Sequence, residues 1–266
     1  MNIEQLYQIY LNHPAICTDT RKISPDCLFF ALRGDHFDGN KFAMQAIEKG
    51  ASFAIVDKPE FAEDKRFILV NDVLQTLQDL ARFHRKKLQI PVIGITGTNG
   101  KTTTKELIRS VLSQQFSTFA TEGNLNNHIG VPISILSIKD DCEIAIIEMG
   151  ANHQKEIEFL CNISLPTHGL ITNVGKAHLE GFGGVEGVKK GKGELYEFLV
   201  ASGGQAFINS NDEVLKKMAK ERDLNNCISY GEAKENYISA RLKEADPFLI
   251  VEWAKRGEES HLAISH

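Results

Sequence analysis

Apolar residues follow two rhythms along this chain. Short runs rich in β-branched residues alternate with segments whose apolar positions recur every three or four residues. The first rhythm predicts strands at 27–32, 52–56, 67–70, 92–96, 117–120, 143–148, 167–174, 205–209 and 227–230. The second predicts helices at 42–49, 126–136, 155–161, 185–200 and 212–220. Two further helices have clear starts. Asp72 caps one that carries Val73, Leu77, Leu80 and Ala81 on one face, with His84 continuing the line and the basic run Arg85-Lys86-Lys87 at its C-terminus. Lys101 opens the other, with Leu107, Ile108, Val111 and Leu112. Pro132 fits the first turn of its helix.

Strand–helix alternation of this kind means a mostly parallel sheet covered on both faces. The expected fold class is α/β, with a small N-terminal domain over 1–88 and a P-loop-type central domain over 89–266. Beyond Tyr237 the pattern changes to antiparallel strands at 238–243 and 248–253, with a hairpin at Lys255-Arg256-Gly257. That hairpin should lead to a partner strand, but the chain stops at His266, and the central domain reads as truncated at its C-terminal end.

Composition narrows the class. Hydrophobic residues are 42% and charged residues 24% of 266, a soluble globular balance. A net charge of −5 gives no electrostatic footprint for nucleic acid. No apolar run approaches a membrane span, and the first residues lack a basic leader. The five cysteines form no C-x-x-C, so reduced thiols in a cytoplasmic protein, all serving as small core residues, are expected.

The chemistry centres on Pro91 to Lys105, PVIGITGTNGKTTTK. A strand, the loop Gly97-Thr98-Asn99-Gly100, then Lys101-Thr102-Thr103 at a helix start is the arrangement of a phosphate cradle. Loop and helix N–H groups meet one anion, Lys101 adds charge, and Thr102 offers a hydroxyl to Mg²⁺. Ile95 replaces the first glycine of the longer P-loop pattern. In parallel sheets ligands sit at the carboxyl ends of strands. Four other stretches end on that rim: Glu148 after EIAII, His178 after ITNVGKA, the loop from Gly123 to Pro132 with Asn124 and Asn127, and Asn209-Ser-Asn-Asp212. Lys192 lies in KKGKGE, where two glycines inside a helix imply close approach by something else.

Taken together, GTNGKTT, EGNLNNHIGVP, IEMGANH, ITNVGKAHLEGFG, KGKGELY and NSND resemble the muramyl (Mur) ligases from about residue 15 to 231. In the first domain Thr18 to Lys22, the run from Ser24 to Gly34 and Phe37-Asp38-Gly39 resemble the uridine-nucleotide domain of that family. The GNLNN-x-IGVP and IEMGANH blocks resemble the member that adds D-Ala-D-Ala to a UDP-N-acetylmuramoyl tripeptide. The resemblance implies ATP-dependent amide formation through an acyl phosphate, in peptidoglycan synthesis, by a cytoplasmic enzyme monomeric when complete. It further implies that Lys101 holds the ATP phosphates and that Thr102 and Glu148 hold one Mg²⁺. His178 would hold a second Mg²⁺, and Lys192 would carry a CO₂-derived carbamate that also reaches metal. Asn124 and Asn127 would meet substrate and phosphate, Asn209 and Asp212 the adenosine side, and Thr20, Arg21 and residues 37–40 the UDP moiety. The family's third, Rossmann-like domain is absent from the sequence, so the fragment is expected to bind the UDP-peptide weakly and not to ligate. The alternatives are a sister ligase adding another amino acid and a non-catalytic nucleotide-binding module; a folate polyglutamylating enzyme would share the glycine loop but lack the uridine domain.

Overall fold

The computed structural model describes residues 1–62, 64–176 and 179–264. They form two compact units. The first comprises Met1–Ile90 with Thr121–Glu143 and Asn162–Leu165; the second comprises Pro91–Ala120, Ile144–Cys161 and Pro166–His266.

The first unit opens with helix α1 (Ile3–Asn12), which the reading of the sequence passed over. Asn2 and Gln5 form a capping box at its start, and Leu6, Tyr7 and Tyr10 bury one face. Strands β1 (Ile16–Cys17), β2 (Leu28–Phe30), β5 (Phe53–Val56) and β6 (Phe67–Leu69) make a parallel sheet in that order. Between them lie the short hairpin of β3 (Arg33–Gly34) and β4 (Phe37–Asp38) and helix α2 (Ala43–Glu48). Cys27, Phe29, Ala46, Ala54 and Val56 form its core. Helix α3 (Val73–Lys87) begins at Asp72, whose carboxylate accepts from the Gln75 amide at 2.7 Å.

Pro91 leads into the second unit through β7 (Val92–Thr96), helix α4 (Lys101–Leu112) and β8 (Thr118–Ala120). The next helix, α5 (Gly130–Leu136), belongs by its packing to the first unit, where it lies against α3. Pro132 sits in its first turn, as expected. Here the Tyr10 hydroxyl donates to the Leu136 carbonyl at 2.7 Å. The buried His84 ring bridges the Tyr7 hydroxyl (3.1 Å) and the Ile138 carbonyl (3.3 Å), and burial lowers its pKa.

The chain re-enters the second unit with β9 (Ile144–Glu148) and helix α6 (Glu156–Ser164), whose residues from Asn162 onward belong to the first unit. The last turn of α6 explains Arg85, which opens the basic run at the C-terminus of α3. Arg85 is buried and donates to the carbonyls of Ser164 (2.9 Å), Leu165 (3.0 Å) and Leu88 (2.7 Å). Orphan carbonyls at a helix end need such donors.

β10 (His168–Ile171), α7 (Leu179–Phe182), α8 (Val185–Ser202), β11 (Gln205–Asn209), α9 (Glu213–Lys220) and β12 (Cys227–Gly231) complete the α/β alternation. β13 (Ile238–Glu244), β14 (Ile250–Lys255) and β15 (His261–Ile264) follow. The sheet order is β15-β14-β13-β12-β11-β10-β7-β9-β8, parallel from β8 through β13 and antiparallel beyond. Two expectations are corrected. A partner strand does form before the end, since His261 to Ile264 pair with β14. Four of the cysteines are buried, but Cys227 is exposed. Among the described residues no helix is long and apolar enough to cross a membrane.

Candidate active site around the glycine loop

β7 lies between β10 and β9, with Ile95 opposite Glu148 and Thr96 opposite Ile171. Parallel pairing therefore brings the ends of three strands to one rim. Gly97 and Gly100 turn the chain there with φ of 145° and 75°, values that L side chains rarely adopt. A Cβ on Gly97 would overlap the Thr172 hydroxyl, while Gly100 is open and serves as the left-handed N-cap of α4.

The loop is clamped from the end of β10. The Thr172 hydroxyl donates to the Asn99 carbonyl at 2.6 Å. The Asn173 amide side chain donates to the same carbonyl at 3.0 Å and accepts from the Asn99 N–H at 3.1 Å. Thr98 N–H donates to the Asn173 carbonyl, and Gly175 N–H donates to the Thr98 hydroxyl at 2.9 Å. Sequence reasoning passed over Thr172 and Asn173. Their signal was two polar residues ending an apolar strand, ITN, on the same predicted rim.

Lys101 folds over the loop, its ammonium donating to the carbonyls of Gly97 (3.0 Å) and Thr98 (3.2 Å). Thr102 and Thr103 are exposed at the helix start. The Thr102 hydroxyl donates to Glu148 Oε2 at 3.0 Å. Glu148 is buried, and the fully buried Lys105 ammonium lies 3.9 Å from the same oxygen and 3.1 Å from Glu106. Hydroxyl and carboxylate thus meet one step from the loop, an all-oxygen pair of the kind a hard divalent cation takes.

Lys192 lies inside α8 and is 3% exposed. Its ammonium donates to the Ala151 carbonyl at 3.4 Å and stands 5.4 Å over the Phe182 ring. Burial, with the Lys101 charge adding to it, lowers its pKa to about 8. The two glycines beside it have physical reasons. A Cβ on Gly191 would overlap the Phe182 ring, and one on Gly193 the Arg222 guanidinium. Glu194, also buried, accepts from the N–H groups of Lys155 (2.6 Å) and Glu158 (3.0 Å). It thereby caps α6 from a second helix, and burial raises its pKa.

The remaining sequence candidates stand as follows. Asp212 caps α9, accepting from the amides of Val214 and Leu215, and Asn209 accepts from the Asn211 amide. Both lie on the rim at the end of β11. Asn124 and Asn127 fall in the first unit, where the Asn127 side chain accepts from the amides of Ile129 and Gly130 at the start of α5. Thr20 accepts from Lys49 through its carbonyl at 2.9 Å. Arg21 pairs with Asp19, and its hydrogen bonds hold that carboxyl down to about 2. His178 lies outside the described residues. Among the described residues no cluster of three or more His, Cys, Asp or Glu gathers to hold a metal. The donors that fit a cation are Thr102 and Glu148, with Lys192 fitting only as an anionic adduct.

Comparison with known proteins identifies the family. Residues 14–90 match the Mur ligase family, catalytic domain, and residues 95–262 match the Mur ligase middle domain. The UDP-N-acetylmuramoyl-tripeptide--D-alanyl-D-alanine ligase of Bacillus subtilis is 40% identical over 206 residues, 77% of this chain and 45% of its own length. That of Escherichia coli is 42% identical over 189 residues, 71% of this chain and 42% of its own. Among solved structures, the MurF ligase of Thermotoga maritima in complex with ADP superposes with a TM-score of 0.81 at 28% identity, over 96% of this chain and 58% of that one. A crystal structure of MurF from Acinetobacter baumannii gives 0.84 at 29% identity, over 99% and 60%. The chain thus spans about half the length of the curated relatives it matches. With both of its parts matched in order and the glycine loop in its expected place, the chain belongs to the Mur ligase family.

Proposed function

We propose that this chain is the UDP-substrate and ATP-binding portion of a ligase that joins D-Ala-D-Ala to a UDP-N-acetylmuramoyl tripeptide in peptidoglycan synthesis. The observation that carries the reading is the glycine loop held between Thr172-Asn173 and α4, with Lys101 and the Thr102–Glu148 pair beside it. Such a loop binds a polyphosphate through its N–H groups, the α4 N-terminus and the Lys101 charge. The T. maritima relative with ADP, and the curated relatives' named substrates, support the choice of nucleotide and acceptor.

In this reading the terminal carboxylate of the tripeptide attacks the γ-phosphorus of ATP, and ADP leaves. The amine of D-Ala-D-Ala then attacks the acyl carbon of the acyl phosphate, loses a proton and expels phosphate. Both steps gather negative charge, and the cationic groups of the site are aimed at it. Lys101 swings from the loop carbonyls to phosphate oxygens. Thr102 and Glu148 would hold Mg²⁺, which when bound would offset the phosphate charge. Lys192, as a carbamate, would add an anion to the site and, with His178, would hold a second Mg²⁺. Asn209 and Asp212 flank the adenosine. Thr20, Arg21, Asn124 and Asn127 of the first unit meet the UDP-peptide.

Titration of ADP with Mg²⁺ into the chain and its Lys101→Ala variant tests the nucleotide site. The variant should bind at least about tenfold more weakly, since a charge-assisted contact is lost, with an unchanged circular dichroism spectrum. Equal affinities would remove the glycine loop from nucleotide binding. Phosphate release by the whole protein, offered D-Ala-D-Ala beside single amino acids, tests the acceptor; preference for a single amino acid would overturn it.

A further inference from the structure

Thr96 closes β7, immediately before Gly97. It is fully buried, and its hydroxyl has no hydrogen-bond partner among the described residues. A buried hydroxyl without a partner is destabilising, and a valine of the same shape would fill the space without that cost. The position therefore calls for a partner that is not one of the described side chains.

Strand alternation says where the hydroxyl points. Ile95 packs with Ala120, Ile146 and Leu170 on the face covered by α4. Thr96 faces the opposite side. On that side Gly94 meets Met149, and Gly169 of β10 meets Leu195 and Leu199 of α8. Helix α8 connects two parallel strands, so it runs back against them, and its earlier residues lie over their C-terminal ends. Lys192 precedes Leu195 by one turn, on the same helix face. Its ammonium reaches the Ala151 carbonyl, just past the end of β9, the strand beside β7. Both routes bring Thr96 and the tip of Lys192 to one corner of the sheet.

We propose that Thr96 is a positioning residue whose hydroxyl donates a hydrogen bond to the carbamate of Lys192 and fixes its orientation beside the phosphate loop. The inference rests on the reading of Lys192 given above. The covalent step is simple: the neutral Lys192 amine attacks the carbon of CO₂, one C–N bond forms, and the nitrogen releases its proton to water. The product carboxylate needs donors in a dry site, and the Thr96 hydroxyl is one held ready on the strand.

The test is ¹³C NMR of the chain in ¹³C-bicarbonate, with thermal melts of each variant. The wild-type chain should show a carbamate resonance that Lys192→Ala lacks. Thr96→Val should retain or raise the melting temperature, because an unpaired hydroxyl is gone, yet show about tenfold less carbamate at equal CO₂, as loss of a hydrogen bond to a charged group requires. Thr96→Ser should keep the resonance. No resonance in the wild type would remove the carbamate reading and this inference with it. A wild-type resonance that persists unchanged in Thr96→Val, or is lost equally in Thr96→Ser and Thr96→Val, would overturn the role of Thr96 alone.

Discussion

Gly97→Ala is the sharpest single perturbation of the proposed nucleotide site. The glycine has φ of 145°, and a Cβ there would overlap the Thr172 hydroxyl. Placing an L residue in such backbone costs about 1–3 kcal/mol. Displacing Thr172 also breaks its 2.6 Å bond to the Asn99 carbonyl, worth about 1 kcal/mol. The sum is about 2–4 kcal/mol, or a fall of about 4–7 °C in Tm for a chain of this size. Nucleotide affinity should fall further than stability, because the loop amides lose their alignment. Differential scanning calorimetry and ADP titration of the wild type, Gly97→Ala, Thr172→Ala and the double variant separate the two parts. In the Thr172→Ala background the added methyl no longer meets a hydroxyl, so Gly97→Ala should cost less there. A Gly97→Ala chain melting within about 2 °C of wild type, with unchanged ADP affinity, would refute the idea that Thr172 anchors the loop.

Three further outcomes follow from the same contacts. Lys192 has a folded pKa of about 8 against an ordinary 10.5, so the unfolded chain binds more protons between those values and stability rises with pH across that window. Urea melts in CO₂-free buffer should show the advantage of Lys192→Met over wild type shrinking by up to about 3 kcal/mol from pH 8 to 10.5; a difference independent of pH would mean that the amine is not desolvated. Glu148→Gln should leave the fold intact but abolish most of the Mg²⁺ dependence of ADP binding, read by titration with and without Mg²⁺, and an undiminished Mg²⁺ effect would free Glu148 from the metal. Arg85→Leu should destabilise the chain by about 2–4 kcal/mol because several buried carbonyls lose their donor; a urea midpoint equal to wild type would contradict that account.

Local patterns carried much of this protein. The strand–loop–helix at residues 92–112, the Asp72 and Asp212 caps and the α/β alternation rest on contacts within a few residues, and periodicity and turn chemistry report such contacts directly. The glycines of KKGKGE announced a close approach in the same way, though not to what. Tertiary structure decided what they approach, Phe182 and Arg222, and why Lys192 is desolvated. It also decided that Arg85 serves the carbonyls of residues 164 and 165 as well as its own helix end, and that residues 172–175 hold the glycine loop. It assigned Thr121–Glu143 to the first unit, because α5 buries its apolar face against α3. Each of these joins residues far apart in the chain. A side chain's spacing from its neighbours can say that it needs a partner, but only the folded sheet, by setting which strand ends share a rim, determines which partner it meets.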